Sequence, residues 1–169
     1  MSTSELEARL QAAEDRLAIM EVEGAYARTF DSRDGEAWAA LFTEDGIYEG
    51  RVAPGAPRGN VPFVEGRAAL ATFCSEAPFD GIHLLHMPQI TLDGDRARSR
   101  VHLQFLASFP VGDRLGYVTA MVGYYDVAYE RVGGRWLIRH RITTTFSRTR
   151  NDAFGYEPVA AFDEVAVES

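Results

Sequence analysis

"IHLLHMPQITLDGDRARSRVHLQFLASF", residues 82–109, is where the chain changes its period. Upstream, apolar residues recur every three or four positions. From residue 82 they alternate, which places successive side chains on opposite faces of a pleated strand. Residues 82–92 read as one strand, Asp93-Gly94 as a turn and residues 96–109 as the returning strand. "LGYVTAMVGYYDVAYERV" (115–132) is a long third strand, and Gly133-Gly134 turns it into "RWLIRHRITTTFS" (135–147).

The upstream segment reads as helices. Ser4, with Glu7 three residues on, has the pattern of a capping box. Helical spacing then runs to Asp31. Leu17, Met20, Gly24, Ala27 and Asp31 share one side, and Ile19, Val22, Tyr26 and Phe30 form an adjacent stripe. This helix is expected to be buried over most of its circumference, with Glu23 inside the buried arc and Asp31 at its edge. A second short helix carries Trp38, and a third spans "GRAALATFCSEA" (66–77). "GIYEGRV" (46–52) is a strand, and "APGAPRGNVP" (53–62) is a Pro/Gly loop and candidate lid. Helices followed by an antiparallel meander imply an α+β fold with the helices on one face of the sheet. A long curved sheet closed by a helix forms a cone with a pocket on its concave side. One domain, residues 1–149, is expected, with a tail at 150–169 as a lid or subunit contact.

Composition narrows the partners. The net charge is -8 with no basic run, which argues against nucleic acid. No apolar run is long enough to span a membrane. The single cysteine, Cys74, excludes an internal disulfide and any multi-cysteine metal site and fits a cytoplasmic setting. There is no HExxH pattern and no glycine-rich nucleotide loop after a strand, so neither a metal nor a dinucleotide cofactor is expected. One face of the long strands, with Val118, Met121, Val122, Val127 and Tyr129, is expected to be covered in a homo-oligomer, a dimer or trimer.

The order of "AIMEVEGAYARTFDSRDGEAWAALFTEDGIYEG", "GRAAL", "HMPQITLDGDRARSRV" and "GYYDVAYERVGGRWLIRHR" resembles the NTF2-like superfamily, specifically its SnoaL-like branch, over roughly residues 12–147. The resemblance implies an NTF2-like cone. "YARTFDSRD" is similar to the start of scytalone dehydratase and bile-acid 7α-dehydratase. There, and in hexachlorocyclohexane dehydrochlorinase, the aspartate matching Asp31 pairs with a histidine that the alignment places at His86. The same resemblance points to Tyr26, Tyr48 and Arg141 as further site residues. Phe30 departs from the pattern, standing where the scytalone enzyme has tyrosine. That enzyme's second sheet histidine falls near Ser108.

The expected chemistry follows. A His86–Asp31 dyad removes a proton next to a carbonyl or aromatic group, the carboxylate fixing the imidazole tautomer. Tyr26, Tyr48 or Arg141 stabilises the developing negative charge. The expected function is a cofactor-independent lyase of the dehydratase type acting on a small hydrophobic cyclic, aromatic or steroid-like molecule. An isomerase or polyketide-cyclase-type enzyme using the same base is the alternative. A non-catalytic ligand-binding or partner subunit, like the small subunit of ring-hydroxylating dioxygenases, is the second. Alternation leaves His140 and Arg141 as rivals for the cavity-facing place. It puts His86 with Leu84, Ile90 and Leu92, His83 on a more mixed face, and His102 on a solvated one.

Overall fold

A computed structural model describes residues 2–53, 61–111 and 114–152. The Pro/Gly loop at 54–60 and the tail beyond Asp152 lie outside them. Helix α1 (Thr3–Asp31) leads into α2 (Gly35–Ala39), β1 (Phe42–Val52), β2 (Phe63–Glu65) and α3 (Arg67–Ser75). Then follow β3 (Asp80–Leu85), β4 (Gln89–Asp93), β5 (Arg96–Val111), β6 (Arg114–Val132) and β7 (Arg135–Asp152). The sheet order is β2-β1-β7-β6-β5-β3, with β4 also paired to β5. All pairings are antiparallel except β1 with β7, which run parallel. This is the expected α+β cone of helices on a curved sheet. Among the described residues no helix is long and apolar enough to cross a membrane.

The first helix starts earlier than its sequence suggests. Ser2 caps it: its Oγ accepts from the Glu5 amide at 3.2 Å, and Glu5 Oε2 accepts from the Ser2 amide at 2.6 Å. At the other end Arg33 adopts a left-handed conformation (φ 57°), and Asp34 N–H returns to Thr29 O at 2.9 Å. This stop leaves Asp31 in the last turn, and an Arg33–Asp80 ion pair ties the stop to the start of β3.

The buried face of α1 is narrower than expected. It is one stripe, Asp15, Ile19, Glu23, Tyr26 and Phe30, and Leu17 is 60% exposed. The Asp15 carboxylate pins the helix to the sheet, accepting from Arg131 Nη2 at 2.6 Å and Trp136 Nε1 at 3.2 Å. The arginine holds that carboxyl below the usual range.

Both glycine turns, at Asp93-Gly94 and Gly133-Gly134, form, with positive φ at all three glycines. Bulges then bend the long strands and re-phase them. Gly123 sits at one of these: a Cβ there would lie 2.1 Å from Thr144 O. The expected apolar outer face of β6 mixes both sides of the strand, because Val127 and Tyr129 are buried, the latter against Glu23 of α1.

Candidate active site

Residues 82–92 do not form one strand. Pro88, which has no N–H to donate, interrupts the ladder. β3 ends at Leu85, paired with Leu103, and β4 begins at Gln89, paired with Arg100. Three residues, 86–88, therefore oppose two, Val101 and His102. This one-residue bulge reverses the facing of everything before it relative to everything after it. Ile90 and Leu92 turn inward after the break, whereas His83 and Leu85 turn inward before it.

The consequence is a correction to the expected dyad. His86 lies in the bulge, exposed, its backbone N–H bonded to His102 O at 3.0 Å. Asp31 is paired with His83. His83 Nδ1 and Asp31 Oδ1 are 2.6 Å apart, and the His83 backbone N–H donates to Asp31 Oδ2 at 3.0 Å. One carboxylate thus holds both the ring and the backbone of the same residue. With Nδ1–H given to Asp31, Nε2 carries the lone pair, and no described residue hydrogen-bonds it. Burial lowers the His83 pKa from its ordinary 6.5, against the opposing pull of Asp31. The ring is therefore neutral near pH 7.

Aromatic rings surround this imidazole: Phe105 at 4.5 Å between centroids, Phe30 at 5.3 Å and Tyr26 at 5.7 Å. Phe30 also lines an apolar cleft of about 250 Å³, with Phe73, Ala77 and Phe79 among its walls and Glu76 the only charged residue among its described lining. Its apolar lining suits a small hydrophobic molecule, and Phe30 is the residue it shares with the surround of His83.

Arg141, not His140, faces inward. Arg139 has no partner opposite it on β6, because Tyr129 pairs with Ile138 and Ala128 with His140. This second bulge puts Arg141 on the same side as Trp136 and Ile138, although alternation separates them. His140 is on the other side, 3.1 Å from Glu49 Oε2. Arg141 is fully buried. Its Nη1 and Nη2 donate to the two oxygens of Glu23, each at 2.8 Å. The guanidinium lies between two rings, 3.6 Å from the Tyr26 centroid and 3.9 Å from that of Tyr125. Burial pulls its pKa down, but Glu23 more than offsets this, and it stays charged. Its Nε has no partner among the described residues. Tyr129 donates to Glu23 Oε1 at 2.7 Å, and Ser99 Oγ is 2.7 Å from the Tyr129 hydroxyl. Burial pushes the hydroxyls of Tyr26, Tyr125 and Tyr129 above the ordinary tyrosine range, so all three remain protonated.

Among the expected residues, Asp31, Tyr26 and Arg141 lie in one neighbourhood. Tyr48 joins it from β1, its hydroxyl accepting from Thr143 Oγ1 at 3.1 Å and its ring 5.2 Å from Phe73. His86 is outside it. His83, Tyr125, Tyr129 and Ser99 are additions. Pro88 was the signal that the strand breaks, and Glu23 in a buried arc was the signal that a buried cation would meet it.

Comparison with known proteins agrees with this architecture. A family model described as a SnoaL-like domain matches residues 11–142. An NTF2-like protein with a cystatin-like fold from Novosphingobium aromaticivorans is similar at 28% identity, over 85% of this chain and 90% of that one, with a TM-score of 0.64. A protein assigned as a scytalone dehydratase from the same organism is similar at 22% identity, over 90% and 94%, with a TM-score of 0.66. The hexachlorocyclohexane dehydrochlorinase LinA-type3 from Novosphingobium barchaimii is similar at 15% identity, over 89% and 99%, with a TM-score of 0.71.

Proposed function

The chain belongs to the SnoaL-like domain family, and on that premise we propose that it is a cofactor-independent lyase of the dehydratase type. Its substrate is a small hydrophobic cyclic molecule with a hydroxyl β to a carbonyl. The observation that carries this reading is the buried, neutral His83 held at ring and backbone by Asp31. His83 Nε2 takes the proton from the carbon next to the carbonyl, and the C–H electrons form the enolate. As the enolate collapses to C=C, the C–O bond breaks. The imidazolium returns its proton to the departing hydroxyl, so water leaves and the base is regenerated. Asp31 stabilises the imidazolium in between. In this reading the Tyr26 and Tyr48 hydroxyls donate to the enolate oxygen. Arg141 acts through Tyr26 and Tyr125 rather than by direct contact, because Glu23 occupies both its terminal nitrogens.

The test is a panel of cyclic β-hydroxy ketones, with formation of the conjugated enone followed by ultraviolet absorbance. The expected result is turnover that falls roughly 10²–10⁴-fold in His83→Ala and is unchanged in His86→Ala. Turnover that survives His83→Ala would remove the base from this reading. Exchange of the α-proton with deuterium from solvent, without enone, would move the assignment to an isomerase or cyclase.

A further inference from the structure

Helix α1 has a second face that the domain does not use. Residues 2–11 are exposed on every side, and the first residue buried against the sheet is Asp15. A helical overhang of that length is marginal in water without packing. Opposite the buried stripe, Leu6, Leu10, Ala13, Leu17 and Met20 recur at alternating spacings of four and three. That is the seam pattern of a coiled coil, with Leu10 and Leu17 at a and Leu6, Ala13 and Met20 at d. Leu6 and Leu10 are 53% and 58% exposed, as open as Leu17.

The charges beside the seam choose its occupant. In this register the e positions are Glu7, Glu14 and Glu21, and the g positions are Arg9 and Arg16. In a parallel, in-register pair each g residue faces the e residue five positions on in the other helix. Arg9 then meets Glu14 of the second copy, and Arg16 meets Glu21. In an antiparallel pair glutamate would face glutamate and arginine would face arginine. Residues 2–14 carry Glu5, Glu7 and Glu14 against Arg9, a net negative charge that is unfavourable on an anionic lipid surface. We propose that the outer seam of α1 docks a second copy of this chain through the same helix, parallel and in register.

The test is the mass of the full chain in solution by sedimentation velocity or light scattering. Wild type is expected at twice the 18.7 kDa chain mass, or a multiple of it. Leu10→Glu/Leu17→Glu is expected at half the wild-type mass at the same concentration, with the sheet signal of the circular dichroism spectrum retained and helix lost only from the unpacked overhang. Arg9→Glu/Arg16→Glu and Glu7→Arg/Glu14→Arg/Glu21→Arg should each lose the association alone and regain it when mixed in equal amounts. Leu10→Cys should form a reducible cross-linked dimer on mild oxidation, because a parallel in-register pair sets the two copies of that position side by side, whereas an antiparallel pair over the Leu6–Met20 seam centres on Ala13. A wild-type monomer at high concentration would overturn the proposal. So would an oligomer unchanged by Leu10→Glu/Leu17→Glu, or a seam-dependent dimer that Leu10→Cys does not cross-link.

Discussion

The Glu23–Arg141 pair sets a large and specific expectation for stability. Arg141 is wholly buried and the Glu23 side chain is 4% exposed, so neither charge is hydrated. Glu23→Ala leaves a guanidinium in the core with Nη1 and Nη2 stripped of the carboxylate, beside an Nε that has no partner among the described residues even in the wild type. Removing one partner of a buried pair costs about 3–5 kcal/mol, because the remaining charge is stranded. At about 4 kcal/mol, the midpoint of a domain of this size falls by roughly 8–16 °C. Urea unfolding followed by the fluorescence of Trp38 and Trp136, both buried, measures this by linear extrapolation. Glu23→Leu/Arg141→Met removes both charges and should recover most of the loss, since an apolar pair of similar volume is often neutral in such a place. A cost below about 1 kcal/mol for Glu23→Ala would mean that the pair behaves like an exposed one. A double variant that loses the sum of the single losses would mean that the two residues are not coupled. Either result would refute the reasoning.

Further expectations concern single groups. Because the folded state holds His83 below its ordinary 6.5, the unfolded chain takes up that proton first. Wild-type stability should therefore fall as pH drops below about 6.5, and thermal melts of His83→Gln should show a shallower decline; equal slopes would contradict the burial argument. Gly123→Ala should cost about 1–3 kcal/mol by urea unfolding, since its Cβ would meet the Thr144 carbonyl at 2.1 Å and backbone must move. Burial pushes the Cys74 thiol up to about 11. At pH 8 a thiol-specific dye should label it only after denaturant is added, and rapid labelling of the native protein would show that the α3 packing opens.

The periodicity of the chain by itself determined much of this molecule. Three-to-four spacing before residue 82 and alternation after it mark helices laid on a sheet. Asp93-Gly94 and Gly133-Gly134 stand where β4 and β6 end. Asp31 on the inward edge of the first helix was visible, as was Glu23 in its buried arc, because a helix repeats regularly over its whole length. Which histidine meets Asp31, and whether His140 or Arg141 faces inward, only the tertiary structure decided. Both choices turn on one extra residue: the bulge at 86–88 and the unpaired Arg139. Alternation along a strand reports which residues share a face only while the ladder is unbroken. The number of residues opposite a break belongs to the neighbouring strand, residues 101 and 102 for the first and 128 and 129 for the second, and a strand's own alternation does not carry it. The Glu23–Arg141–Tyr129–Ser99 network is of the same kind: its members come from α1, β7, β6 and β5, and only the closing of the cone brings their polar atoms within hydrogen-bonding distance.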